Sequence, residues 1–188
     1  MSSLLTPTPI PEHVPTLLWA LRVGQGQDIH RLSPYTQKTK PLILGGVLIP
    51  DAPYGLEGHS DGDALLHALV DAILGAMGLG DIGTWFSDKD PQWCGVNSMT
   101  LLEHVLSYCR THYSGFTVLG MDSTIVLQSP SLKHHKADIQ QRLATCLQLP
   151  LHRVGVKAKT AEHLGELGSG RAVLTFVTIT LYVPEPHA

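Results

Sequence analysis

Residues 171–183 read RAVLTFVTITLYV, and the alternation within this stretch decides the fold. Successive side chains of a strand point to opposite faces. Here Val173, Thr175, Val177, Ile179 and Leu181 form one set, and Leu174, Phe176, Thr178, Thr180 and Tyr182 the other. Both sets are apolar or threonine, so both faces of the strand are expected to be covered. Helices layered on the sheet cover one face, and a partner subunit is the expectation for the other.

Working outward, residues 117–128 (TVLGMDSTIVLQ) and 153–160 (RVGVKAKT) are rich in β-branched residues and are predicted strands. So are residues 18–25 (LWALRVGQ) and 42–49 (LILGGVLI), joined by a polar, proline-containing loop at 31–41 that is a candidate lid. Between the strands lie three helical patterns. The first begins SDGDALLHALVDAILGAMGLGD at Ser60, read as its N-cap, with Asp63 as the capping-box partner and Gly78 or Gly80 closing it. Leu65, Leu66, Leu69, Ile73 and Met77 give that helix an apolar stripe. The second spans about 98–110, capped by Asn97, and the third about 131–147. The fold class is therefore α+β, a β-sheet packed on three main helices.

The 188 residues suit one domain, read as 20–188, preceded by a flexible extension at 1–19. The first 18 residues hold four prolines and no Lys or Arg, unlike a secretory signal or transit peptide. A net charge of −3 gives no general attraction to nucleic acid or to acidic membranes, so bound anions must be held locally. No apolar run reaches the roughly 18 residues of a membrane span. Cys94, Cys109 and Cys146 are odd in number and widely spaced, which fits a reducing cytoplasm better than a disulfide framework.

Chemistry concentrates in three segments. In GQGQDIH, Asp28 and His30 fall on one face of a strand, as a polar edge or as half a metal claw. In the first helix Asp63, His67 and Asp71 follow one another at i, i+4 spacing, so His67 is either a solvated helix residue or a ligand whose second ring nitrogen is held by a carboxylate. If Asp28, His30 and His67 converge, they offer three protein ligands and one open position, the pattern of a catalytic zinc site. His59 and Ser60 stand at a helix mouth, where free N–H groups favour phosphate. In VKAKTAEHLG, Lys157 and Lys159 share a strand face, and Thr160 and Glu162 begin the following turn, either a solvated edge or a grip on phosphate and a hard cation such as Mg²⁺ or Mn²⁺.

Taken in order, RVGQGQDIHRL, ILGGVLIP, GLEGHSDGDALLHALVDAILGAMGLGDIGTWFSD, DSTIVLQSP and VKAKTAEHLG resemble the 2-C-methyl-D-erythritol 2,4-cyclodiphosphate synthase family over residues 22–183. The resemblance implies a mixed sheet in a two-layer sandwich, assembled as a homotrimer with active sites at subunit boundaries. It implies a lyase of non-mevalonate isoprenoid biosynthesis that forms a cyclic diphosphate and releases CMP. By the same matching Asp28, His30 and His67 hold Zn²⁺, and Glu162 helps hold a second divalent cation, Mg²⁺ or Mn²⁺. His59 and Thr160 match the positions of transition-state stabilisation.

Substrate contacts implied by the resemblance begin with Asp28, Ile29, His30, His59 and Ser60. They continue through Asp81, Ile82 and Gly83, and through the neighbouring loop of Phe86, Ser87, Asp88, Lys89 and Asp90. Leu127, Gln128, Ser129, Pro130, Ser131, Leu132 and Lys133 match a cytosine-binding turn, and Lys159, Thr160, Ala161 and Glu162 the phosphate end. The chain departs from the family at Gln25 and Gln27, and in ELGSGRA, where Glu166 replaces a frequent Phe and Ser169 an Arg. Arg171 follows Ser169 by two residues and is among the implied substrate contacts, while which residue takes the place of the family's phosphate-binding arginine stays open. Two other classes use the same residues: a non-catalytic trimer sensing a nucleotide or isoprenoid diphosphate, and a metal-dependent phosphohydrolase.

Overall fold

A computed structural model describes residues 16–34, 39–50, 52–56, 61–87, 89–93 and 95–184. Along the chain run α1 (Thr16–Trp19), β1 (Leu21–Pro34), β2 (Ile43–Leu44), β3 (Val47–Leu48), β4 (Tyr54–Leu56), α2 (Ala64–Met77), α3 (Ile82–Trp85) and α4 (Ser98–His112). They are followed by β5 (Thr117–Val126), α5 (Lys136–Leu147), β6 (Val154–Lys159), α6 (Gly165–Gly168) and β7 (Ala172–Tyr182). Five strands form a sheet in the order β4-β1-β7-β5-β6. All its pairings are antiparallel except β5 with β6, so the sheet is mixed.

The stretch at 171–183 is the central strand, as its composition requires. Val173, Thr175, Val177, Ile179 and Leu181 are buried, and Thr175 Oγ1 donates to the Ala64 carbonyl at the start of α2, 2.8 Å away. Helix α2 lies along β1 and β7, α5 lies against β6, and α4 packs on α2. Among the described residues nothing covers the opposite face. There Leu174 and Phe176 are only half-buried, and Val23 and Ile29 of β1 are 68% and 58% exposed.

Close contact between α2 and β1 depends on Gly24 and Gly26. A Cβ on either would stand 1.9 Å from a helix carbonyl oxygen, that of Ala72 or that of Ala68. The glycines are thus required by the approach of the helix backbone, although they weaken the strand's own propensity.

Several boundaries differ from the sequence reading. β1 does not end near Gln25 but continues to Pro34, because it pairs first with β7, from Leu21 opposite Tyr182 to Arg31 opposite Ala172, and then with β4. Asp28 and His30 therefore lie inside a strand, and the predicted loop begins only after Pro34, with residues 35–38 outside the described set. The expected strand at 42–49 is a small hairpin whose turn, Gly45 and Gly46, has positive φ at both positions. Helix α2 starts at Ala64 with Asp63 as N-cap, not with Ser60: the Asp63 carboxylate accepts from Leu66 N and also from the amides of Gly45 and Gly46, which ties the hairpin to the helix. Gly78 closes that helix. Helix α5 starts at Lys136, five residues late, because the Leu132 carbonyl accepts from His135 and Lys136 in a preceding turn. Helix α4 carries the expected Asn97 cap and buries Leu101, Leu102, Val105, Leu106 and Cys109.

Candidate metal centre and anion-binding turn

Asp28 and His30 alternate to the helix side of β1, beside the point where Gly26 lets α2 descend. Ala68, whose carbonyl meets Gly26, is the neighbour of His67 in sequence, so the same close approach brings His67 over Asp28. Asp28 Oδ2 lies 2.9 Å from His30 Nδ1 and 3.1 Å from His67 Nδ1. The two imidazoles are neighbours, tilted at 59° with centroids 5.0 Å apart. The three residues offer ligand atoms that all lie within 4.8 Å of one another.

This arrangement fits a metal ion. Zinc bonds of about 2.0 to 2.2 Å place tetrahedral donors roughly 3.3 Å apart, close to the spacings about Asp28. His30 Nδ1 is buried and out of line for a hydrogen bond, so among the described residues its lone pair or proton has no proper partner. Two imidazoles and one carboxylate form a donor set suited to zinc and to other first-row cations.

The electrostatics follow from this proximity. Burial pushes the Asp28 carboxyl up, but His30 and His67 together outweigh it and hold it down to about 2. Burial pulls His30 down, and the adjacent Asp28 carboxylate more than offsets this, so His30 holds its proton above the ordinary imidazole range.

The three residues of the helix stripe do three different jobs. Asp63 caps the helix and is fully buried, and that burial pushes its carboxyl up to about 6 against the pull of its three amide partners. His67 joins the metal donors. Asp71 accepts from Ile82 N at 2.7 Å and so anchors the Asp81, Ile82, Gly83 segment to α2. The expected carboxylate on the second nitrogen of His67 is not a helix neighbour: His67 Nε2 meets Ser98 Oγ at 2.9 Å, and Ser98 is bonded in turn to Asp61. Sequence reading missed Ser98 and Asp61, because SDGD and NSM are unremarkable apart from their caps.

Asp81 caps α3, accepting from Thr84 N and Thr84 Oγ1. Phe86 is buried with its ring edge-on to Trp93, 4.8 Å between centroids, and to His104. Lys89 N donates to Ser87 Oγ, and Asp90 accepts from Gln92 N. His59, Ser60 and Asp88 lie outside the described residues.

A second group gathers around the end of β6. Leu127 N donates to the Lys159 carbonyl, and Gln128, Ser131, Leu132, Lys133, Lys136, Lys159 and Thr160 line a cavity of about 200 Å³ there. Ser129 and Pro130 turn the chain between them through a cis peptide bond. Thr160 Oγ1 donates to Glu162 Oε1 at 2.5 Å, just beyond Ala161, and Gln128 Oε1 accepts from His163 N. Lys157, in contrast, is paired with Asp122 on the exposed sheet face. Arg171 is held by a bidentate pair with Glu166, at 2.5 and 2.6 Å, with both side chains exposed.

The register shows how far apart the two groups are. Asp28 pairs with Thr175, Thr175 with Ile125, and Ile125 with Ala158, one row across β1, β7, β5 and β6. Three strand spacings separate Asp28 from Ala158 by roughly 14 Å.

Residues 21–182 match the YgbB family. A relative from Solibacter usitatus (strain Ellin6076), 2-C-methyl-D-erythritol 2,4-cyclodiphosphate synthase, is 45% identical over 161 residues, which cover 86% of this chain and 97% of that protein. The protein of that name from Burkholderia mallei (strain SAVP1) is 49% identical over 152 residues, covering 81% of this chain and 90% of the relative. A solved structure of a 2C-methyl-D-erythritol-2,4-cyclodiphosphate synthase in a CDP-bound form superposes with a TM-score of 0.76 at 38% identity, covering 85% of this chain and 99% of that one. With its fold and nearly the whole length of these relatives in common, the chain belongs to the YgbB family of 2-C-methyl-D-erythritol 2,4-cyclodiphosphate synthases.

Proposed function

We propose that the chain converts 4-diphosphocytidyl-2-C-methyl-D-erythritol 2-phosphate into 2-C-methyl-D-erythritol 2,4-cyclodiphosphate and CMP, a lyase step of non-mevalonate isoprenoid biosynthesis in the cytoplasm. The observation that carries this reading is the convergence of Asp28, His30 and His67 from a strand and a helix that sequence separates. An oxygen of the 2-phosphate attacks the β-phosphorus of the diphosphate, the bond from that phosphorus to the bridging oxygen breaks, and CMP leaves with that oxygen. The nucleophile is already an anion, so no general base is required. The like negative charges of the two groups must be neutralised and the two phosphates held in line.

The residues divide this work. Asp28, His30 and His67 would hold Zn²⁺ and Glu162 would help hold Mg²⁺ or Mn²⁺, which supply Lewis-acid polarisation of phosphate oxygens. Thr160 donates its hydroxyl to Glu162 in the free chain and would turn it to a phosphate oxygen once Glu162 takes a cation, and Lys159 adds a positive charge beside it. The turn from Leu127 to Lys133 offers backbone groups to the cytosine, and His59 completes the transition-state contacts.

Two cations on one diphosphate must sit within a few ångströms, and the roughly 14 Å between the two groups of one chain is too long for that. The reading therefore includes a homotrimer in which β6 of one subunit faces the metal centre of the next. The exposed apolar face bearing Val23 and Ile29 supports such an assembly. Incubation with the diphosphocytidyl substrate, Zn²⁺ and Mg²⁺, followed by phosphorus NMR, should show CMP and the cyclic diphosphate in equal amounts. Release of inorganic phosphate would make the chain a phosphohydrolase, and an unchanged substrate would leave it a binding protein.

A further inference from the structure

We propose that Asp61 and Ser98 are positioning residues that fix His67 with a hydrogen on Nε2, so that Nδ1 is the nitrogen it offers a metal beside Asp28 and His30. The inference rests on the reading that those three residues hold a metal. The direction of each hydrogen bond in the chain follows from its far end. A carboxylate only accepts at neutral pH. Asp61 Oδ2 takes the Ser98 N–H at 3.0 Å, and Asp61 Oδ1 takes the Ser98 hydroxyl in a short contact. The hydroxyl has one hydrogen, so toward His67 its oxygen can only accept. His67 Nε2, 2.9 Å away, must then carry a hydrogen, so Nδ1, 3.1 Å from Asp28 Oδ2, is the nitrogen left to a metal.

The relay is rigidly built. Ser98 is fully buried and begins α4, where Asn97 provides the cap, so its hydroxyl has no water to turn toward. Asp61 lies before α2 and is tied to the α4 side by its own N–H, which donates to the Val96 carbonyl. The competing tautomer would place N–H on Nδ1 and donate it to Asp28, filling the metal's place with a hydrogen bond. An outer hydrogen bond that holds a ligand imidazole in the right tautomer is worth about 10- to 100-fold in metal affinity.

Long-range ¹⁵N–¹H correlation spectra of the metal-free protein, taken above the ordinary imidazole range, report the tautomer directly. His67 should carry hydrogen on Nε2. In Asp61→Asn the amide donates to Ser98 Oγ and turns the hydroxyl toward the ring, so Nε2 should lose its hydrogen. Zinc affinity, measured by competition with a chromophoric chelator, should fall about 10- to 100-fold in Asp61→Asn and Ser98→Ala, with urea midpoints confirming that both variants fold. A bare Nε2 in the wild-type protein, or variants that bind zinc within about threefold of it, would overturn the relay. A wild-type protein that takes up no zinc overturns the metal reading instead, and the tautomer of His67 still decides the relay.

Discussion

Replacing Gly26 with Ala tests the link between packing and chemistry. The added Cβ would lie 1.9 Å from Ala68 O, 2.8 Å from Ala72 N and 2.9 Å from Ala68 C, all backbone atoms of α2. Real Cβ contacts essentially never fall below 3.0 Å, so strand and helix must separate by at least about 1.1 Å. No side-chain rotation relieves this contact, because the obstacle is main chain. Overpacking of this kind costs roughly 1 to 3 kcal/mol, and loss of the apolar contacts along α2 adds to it. The chemical effect is larger in proportion. Asp28 is two residues from Gly26 and His67 is adjacent to Ala68, so the same separation stretches their 3.1 Å approach toward 4.2 Å. Metal sites tolerate about 0.2 Å in their bond lengths. Zinc affinity should therefore fall at least about 100-fold, more than the loss from removing an outer hydrogen bond. Urea unfolding gives the stability change and chelator competition the affinity. A variant that unfolds within about 0.5 kcal/mol of wild type and binds zinc within threefold would refute the account of how the helix seats on the strand.

Other outcomes follow from the charged groups. Asp63→Ala strips the acceptor from Gly45 N, Gly46 N and Leu66 N at once; at about 1 to 3 kcal/mol for each orphaned amide, less the relief of a buried charge, the net loss at neutral pH is about 2 to 4 kcal/mol by urea unfolding. The folded Asp63 carboxyl is raised to about 6 from 3.8, so the part of its contribution that depends on protonation is complete below 3.8 and lost as pH rises through 6, and the amide contacts remain. The gap between wild type and variant should thus widen in acid and narrow toward neutrality. Because His30 keeps its proton above the ordinary imidazole range and must lose it to bind metal, zinc affinity should already weaken as pH falls through the interval just above about 6.5, with proton release on binding. A flat affinity over that interval would exclude His30 from the donor set.

Local rules made much of this protein legible. The two-sided apolar character of residues 171–183 announced a central strand, and Asn97 and Gly78 marked helix ends where the caps were found. Local rules failed where a distant segment settled the outcome. β1 runs through Gly24, Gln25, Gly26, Gln27 and Asp28, a poor strand by propensity, because β7 pairs with it along its length. Asp63 looked like the partner in a capping box, yet its second role, accepting from two amides of a hairpin 17 and 18 residues earlier, is invisible to a pattern four residues long.

The same division explains the site. Spacing put Asp28 beside His30 and placed His67 on a helix face, but the contact between Asp28 and His67 spans 39 residues, from His67 to Ser98 spans 31, and from Ser98 to Asp61 spans 37. Each contact exists because α2 sits unusually low on β1 and α4 packs on α2. Gly26, a residue with no side chain, is therefore as much a determinant of the metal centre as the ligands are: it sets the distance at which an imidazole on a helix and a carboxylate on a strand can share one ion. Had residue 26 carried a Cβ, the same DIH and HSDGD motifs would be present and the donor set would not close.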